Sequence, residues 1–255
     1  MGWMKVKEIS APMPAEVAVL GFPGMANVGE QVITYLIKEK DPSPVTKIYS
    51  EYLMFPNNMV GISVLEGGRF VLPSVSVFRL SEPAIALVTS DVQPVPWGGM
   101  EIANEILRVL LHMGVKKTIV ITGFVDENYA GKVLAFGNDR ELLDKFLEAG
   151  AIKEGLIKSV IGLAGAVLGL AKVRGINSVV LSGVAPDYSP DPKAAKSVLE
   201  ILDRSFSLGL NFETIDKQIE EIERIKSELI KEIERRIREE LGGHGEMDES
   251  AEYVG

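Results

Sequence analysis

The stretch Gly21-Phe22-Pro23-Gly24-Met25-Ala26-Asn27-Val28-Gly29 lies between an apolar run, Val17–Leu20, and a helix-like run, Gln31–Ile37. A glycine-rich turn between a strand and a helix is where backbone N–H groups gather around a phosphate. Gly24 and Gly29 have the spacing of a Walker A loop, which requires Lys and then Ser or Thr after its last glycine. The residues there are Glu30 and Gln31. A carboxylate in place of the phosphate-binding ammonium repels a nucleotide, and the G-x-G-x-x-G dinucleotide pattern is also absent. The loop thus has the scaffold of a nucleotide site without its chemistry. Its glycines and Pro23 are better suited to shaping a tight strand-to-helix connection, with Phe22 and Met25 as apolar contact surface.

A second set of residues could hold a cation. Asp91, Asp126 and Asp187 follow the candidate strands Ala84–Thr89, Lys117–Ile121 and Ser178–Leu181. Ligands of open α/β sheets bind outside the carboxyl ends of strands, and three carboxylates there suit a hard cation such as Mg²⁺. Asp in that position also serves as a turn or N-cap residue that satisfies free backbone N–H groups, whatever the function. The cation reading makes the chain a small-molecule or nucleotide-binding enzyme working in a strand-end cleft.

Other catalytic chemistries find little support. The chain has no cysteine and two histidines, His112 and His244. That removes disulfides, thiol catalysis and zinc–thiolate sites, and leaves no His-based triad. Ser76, Ser90 and Ser182 are outside any Gly-x-Ser-x-Gly elbow. The expectation is a protein that is not an enzyme and needs no cofactor or metal.

The elements that would position these residues alternate. Glu30–Lys38 reads as a helix, stopped by Asp41-Pro42-Ser43-Pro44. Lys47–Phe55, Met59–Leu65, Arg69–Leu72 and Ser74–Leu80 are short and β-rich, with Asn57-Asn58 and Gly67-Gly68 as turn signals. Helices are expected at Met100–Met113, Arg140–Ala149, Gly162–Lys172 and Lys193–Ser207. Apolar strands separated by such helices define a mixed, mostly parallel sheet flanked by helices, an α/β fold. Gly162, Gly165 and Gly169 fall on one side of their helix, a bare strip for close packing that offsets about 1 kcal/mol of lost helix propensity each.

Glu213–Leu241 differs from the rest. It has charge on most faces and an apolar stripe of Ile215, Ile219, Ile222, Ile225, Leu229, Ile233 and Ile237. Its period is roughly 3.5, as in a coiled-coil seam, with Lys226 interrupting one edge. Unbroken, it is about 43 Å long at 1.5 Å per residue. The division is therefore an α/β body at 1–210, a long amphipathic helix at 211–241 for oligomer or partner contact, and an acidic tail at 242–255.

Charge follows that division. Residues 211–255 carry 14 acidic against 7 basic side chains, whereas residues 1–210 are near neutral. Neither part has the basic footprint of a nucleic-acid binder. The longest uncharged apolar run, Ser159–Ala171, is shorter than the roughly 20 residues a membrane span needs. No secretory signal is visible at Met1–Ser10, so a cytoplasmic protein is expected.

In order and spacing, several segments resemble the PAC2 family of proteasome-assembly chaperones. They are Gly21–Gly29, Tyr49-Ser50-Glu51-Tyr52, Phe55-Pro56, Ser90-Asp91-Val92-Gln93-Pro94, Gly162-Leu163-Ala164-Gly165-Ala166-Val167-Leu168-Gly169 and Pro190-Asp191-Pro192-Lys193-Ala194-Ala195. The resemblance implies an α/β sandwich similar to nucleoside-phosphorylase-like folds but used for protein contact. It also implies homo- or hetero-oligomers and, in archaea, chaperones that engage proteasome α subunits. An ATPase-like protein is a second candidate partner. Gly21, Phe22, Pro23, Gly24, Asn27 and Gly29 are then the family's signature loop. Some archaeal members end in a hydrophobic-Tyr-any-residue tail. Here Tyr253 and Val254 precede the final Gly255, and Glu252 stands before the tyrosine. That ending departs from the pattern while leaving Tyr253 and Val254 as candidate contacts.

Overall fold

The computed structural model describes residues 2–11, 13–153 and 155–242. The chain divides into one unit at residues 1–211 and a second at 212–255. The first contains the sheet. Its strands are β1 (Met4–Glu8), β2 (Val17–Gly21), β3 (Ser43–Ser50), β4 (Ser63–Leu65), β5 (Arg69–Val71), β6 (Val75–Leu80), β7 (Ile85–Ser90), β8 (Lys117–Val125), β9 (Val133–Gly137), β10 (Ile152–Lys153) and β11 (Asn177–Ala185). Its helices are α1 (Val28–Lys40), α2 (Gly99–His112), α3 (Arg140–Glu148), α4 (Gly162–Val173) and α5 (Pro192–Phe206). The second unit contains α6 (Glu213–Gly242).

Nine strands form one sheet in the order β1-β3-β6-β7-β2-β8-β11-β9-β10. Its centre, β7-β2-β8-β11, is parallel. The β1, β3 and β6 flank is antiparallel, as is the β9–β11 pairing. The central strands are Val-, Ile- and Leu-rich on both faces because both are covered. Ala18, Leu20, Val88 and Val120 belong to the core that also takes Ile102, Ile106, Leu107 and Leu110 of α2 and Leu163 and Val167 of α4. The intervening Val19, Leu87, Ile119 and Ile121 are equally buried but outside that core, as period-two alternation requires. Helices α1 and α5 pack together, with α1 on β2 and α5 on β11. Burial of a Leu or Ile side chain contributes about 1.5–3 kcal/mol, so Ile102, Ile106, Leu107 and Leu110 of α2 alone fasten one layer.

Several expectations are adjusted. β3 starts earlier than Lys47 despite Pro44. The register shifts between Pro44 and Thr46, and a bulge accommodates a residue with no N–H. β4 and β5 form a separate two-stranded hairpin closed by Gly67 and Gly68, with φ of 77° and 73°. Asn57 and Asn58 are also left-handed, at 63° and 59°, which asparagine tolerates better than most residues. β1, β9 and β10 were not expected from sequence.

One ion-pair cluster ties a sheet strand to a helix start. Asp139 is 4% exposed, N-caps α3 by accepting from Leu142 N at 2.9 Å, and lies 3.5 Å from Lys117 Nζ. Lys117 also donates to Glu141 at 2.5 Å. That hydrogen bond, with the Asp139 and Glu141 charges, raises the lysine's pKa against the opposing effect of desolvation.

Candidate functional site

The glycine loop is built by backbone approach. A Cβ on Gly21 would stand 2.1 Å from Gly29 O, and one on Gly29 would stand 2.8 Å from Phe22 O and 2.9 Å from Ile121 O. A Cβ on Gly123 of β8 would stand 2.0 Å from Met25 O. The loop therefore lies directly on β8, and these glycines are there because no side chain fits. Gly24 is extended and in open contact. Ala26 and Asn27 are left-handed, with φ of 48° and 51°. The loop's carbonyls accept hydrogen bonds both from within the loop and from more distant segments. Gly24 O accepts from Asn27 N, and Ala26 O accepts from Asp191 N at 2.9 Å and from Gln31 Nε2 at 3.1 Å. The residue at the Walker Ser/Thr position thus fastens the loop itself.

Gln93 joins three of the quoted segments. Its Nε2 donates to Pro23 O in the glycine loop, and its Oε1 accepts from Leu163 N at 3.1 Å at the start of α4. Gly162, at φ 72°, begins α4 in a conformation that favours glycine. The expected glycine strip along α4 is corrected by this geometry. Gly165 meets Val160 O at 2.1 Å, the carbonyl of its own preceding segment, and Gly169 faces open space. Three glycines at helical spacing have three separate circumstances rather than one packing partner.

Around Gln93 opens a cavity of about 1070 Å³ at the carboxyl ends of β2 and β8. Phe22, Met25, Met100, Ile121, Phe124 and Leu163 are among its walls, and the segment Leu156–Ile161 forms one side. Lys158 is the one charged residue among its described lining residues. This is the place where parallel α/β sheets hold ligands, but its lining is apolar.

The three aspartates stand at strand ends as expected and outside that lining. Asp91 Oδ2 accepts from Ser74 N at 2.9 Å and Ser74 Oγ at 3.2 Å. Asp126 accepts from Asn128 N at 2.9 Å, and Asp187 from Ser189 N at 2.7 Å. Asp126 and Asp187 serve their own turns, whereas Asp91 ties the end of β7 to the residue that enters β6. Among the described residues, no group of three or more His, Asp or Glu side chains is placed to hold a metal ion. The carboxylates of the expected cleft thus accept hydrogen bonds from nearby backbone and hydroxyl donors.

In the second unit, α6 is 30 residues long. Ile225, Leu229, Ile233 and Ile237 are exposed, as is Ile230, while Ile219 and Ile222 are partly exposed. Charged neighbours pair along the helix, Glu232 with Arg235 at 2.8 Å and with Arg236 at 3.0 Å. These hydrogen bonds, Arg235 first, lower the Glu232 pKa. Tyr253 and Val254 lie outside the described residues. Among the described residues, no helix is long and apolar enough to cross a membrane.

In the sequence, Gln93 stands out only as part of the Ser90–Pro94 segment. The signal for its role was its position just past a buried strand, facing two glycine turns. The Leu156–Ile161 wall gave no signal, because it has no repeating pattern.

The PAC2 family profile matches residues 18–230; the chain belongs to the PAC2 family. An uncharacterized protein of Methanocaldococcus jannaschii, MJ1210, is 25% identical over 255 residues, 98% of this chain and 96% of its own. The structure is similar to that of PbaB of Pyrococcus furiosus, an archaeal proteasome activator. The TM-score is 0.80 at 23% identity, covering 90% of this chain and 99% of PbaB. It is also similar to Pyrococcus furiosus PbaA, an archaeal homolog of proteasome-assembly chaperone. There the TM-score is 0.73 at 25% identity, covering 94% of this chain and 99% of PbaA.

Proposed function

We propose that this chain is a non-enzymatic proteasome-assembly chaperone or related adaptor that self-associates and binds partner proteins. The observation that carries the reading is the apolar stripe of α6, whose Ile225, Leu229, Ile233 and Ile237 are exposed on a 30-residue helix. Such residues in a row favour burial against another protein surface. Membership of the PAC2 family and likeness to PbaA support a chaperone-type partner. The partners proposed are the chain itself and proteasome α subunits, with an ATPase-like protein as the other candidate. The chaperone covers an apolar surface of its partner until assembly is complete.

The test is the full chain against a truncation after Leu210 and against an Ile225→Glu, Ile233→Glu double variant. Light scattering and pull-down with purified proteasome α subunits are the readouts. Loss of oligomer or of capture in both altered proteins is expected. Unchanged behaviour of both would remove α6 from the contact.

A further inference from the structure

The strand-end cavity has the properties of a protein-docking site. Met25, Met100, Leu156 and Ile161 line it and are exposed, Ile161 at 73%. Trp97, 67% exposed, adjoins the lining residue Pro96. Single exposed apolar side chains are ordinary, but a group of them around one opening marks an interaction surface. A small ligand within the cavity would leave this rim in water, whereas a polypeptide segment laid across the mouth covers it. Two of the rim residues are methionines, which adapt their shape to a partner.

Charge indicates the kind of segment. The loops that leave the same strand ends carry Asp91, Asp126, Glu127 and Asp187, and Glu101 lies in the first turn of α2. Asp91, Glu101, Glu127 and Asp187 are exposed. Against them the cavity wall itself offers Lys158. The strand ends of this edge of the sheet, followed by Asp91, Asp126 and Asp187, are complementary to apolar side chains flanked by Lys and Arg.

We propose that this cavity docks a basic amphipathic segment of a partner protein, its apolar side chains entering between the glycine loop and α4 and its flanking cations facing the strand-end carboxylates. The proposal rests on the reading that the protein binds other proteins, but it places a second contact on the body, independent of α6.

The test uses the full chain with Trp3→Phe, so that Trp97 is the sole tryptophan reporter. The probes are an 18-residue Leu/Lys amphipathic peptide, the same peptide with Glu for Lys, and decanoate. Saturable binding of the Lys peptide with a shift of Trp97 emission is expected, with at least tenfold weaker binding of the Glu peptide. Ile161→Glu, at an exposed position, is expected to weaken the Lys peptide at least tenfold while leaving Tm unchanged. Asp126→Asn with Asp187→Asn keeps an acceptor oxygen for each turn and is expected to flatten the salt dependence. Equal binding of both peptides, or indifference to Ile161→Glu, would overturn the proposal. Saturable decanoate binding without peptide binding would also overturn it, making the cavity a small-ligand site. The α6 variants described above report on partner capture separately, so failure here and failure of the chaperone reading give different patterns.

Discussion

The side-chain oxygen of Gln93 accepts a hydrogen bond from the backbone N–H of Leu163 at 3.1 Å, across 70 residues of sequence. The same carboxamide donates to Pro23 O, so one side chain joins the loop after β2 to the start of α4. Gln93→Ala is expected to lower stability by about 1–2 kcal/mol in urea denaturation, because both backbone partners lose a hydrogen bond. Gln93→Glu keeps the acceptor toward Leu163 but sets a carboxylate against the Pro23 carbonyl. It should be the less stable of the two polar forms at neutral pH and regain stability on acidification, when its carboxyl can donate. Identical melting of all three proteins would contradict the clasp.

The glycines separate into those that tolerate a methyl group and those that do not. Gly123→Ala places a Cβ 2.0 Å from Met25 O, a backbone atom. A loss of about 1–3 kcal/mol, as for overpacked cores, is expected. Gly169→Ala meets nothing within 4 Å and lies inside α4. It should stabilise the protein by roughly 0.5–1 kcal/mol through helix propensity. Thermal melts of the two variants should therefore move in opposite directions.

Asp91 distinguishes turn chemistry from metal chemistry. Asp91→Ala removes the acceptor of the buried Ser74 N–H and hydroxyl, at an expected cost of about 1–3 kcal/mol. Asp91→Asn should recover part of it. Added Mg²⁺ should leave the Tm of the unaltered protein where it is, and a saturable rise would support the cation reading instead.

Lys117 gives a pH dependence with a definite sign. Its folded-state pKa is raised, first by its hydrogen bond to Glu141. The stabilisation is therefore fully present below the unfolded value, about 10.4, and is lost as pH rises through the higher folded value. Glu141→Gln weakens the principal partner. Glu141 is 83% exposed, so the cost at neutral pH should stay below about 1 kcal/mol. Chemical denaturation between pH 9 and 12 should show a smaller alkaline loss in this variant, beginning at the same pH because the unfolded value is unchanged.

The layout was readable where burial gives a period. The centre of the sheet and helices α1 to α5 announce themselves because one face or both faces of each are apolar. β1 did not, because Lys5, Lys7 and Glu8 occupy a strand whose residues are largely exposed, and an edge strand needs no apolar run. β9 was hidden because it follows a turn and enters antiparallel beside β11, a pairing that no local pattern encodes. The close approach within the glycine loop is legible in its glycines, but Phe22, expected as contact surface, is 4% exposed and belongs to the core. The cavity was not legible. Its walls come from residues near positions 22, 94, 100, 122 and 160, brought together only by the parallel order of β7, β2 and β8.

That order also sets a schedule for the protein's own synthesis. Val17 of β2 pairs with Ile85 and Lys117, partners that leave the ribosome about 70 and 100 residues later. At roughly 5–20 residues per second, the central strand waits about 3–20 s for its neighbours. Throughout that interval, Val19, Leu20 and the apolar side of α1 have no sheet to cover them. Nascent-chain release before residue 125 should therefore yield an aggregation-prone fragment.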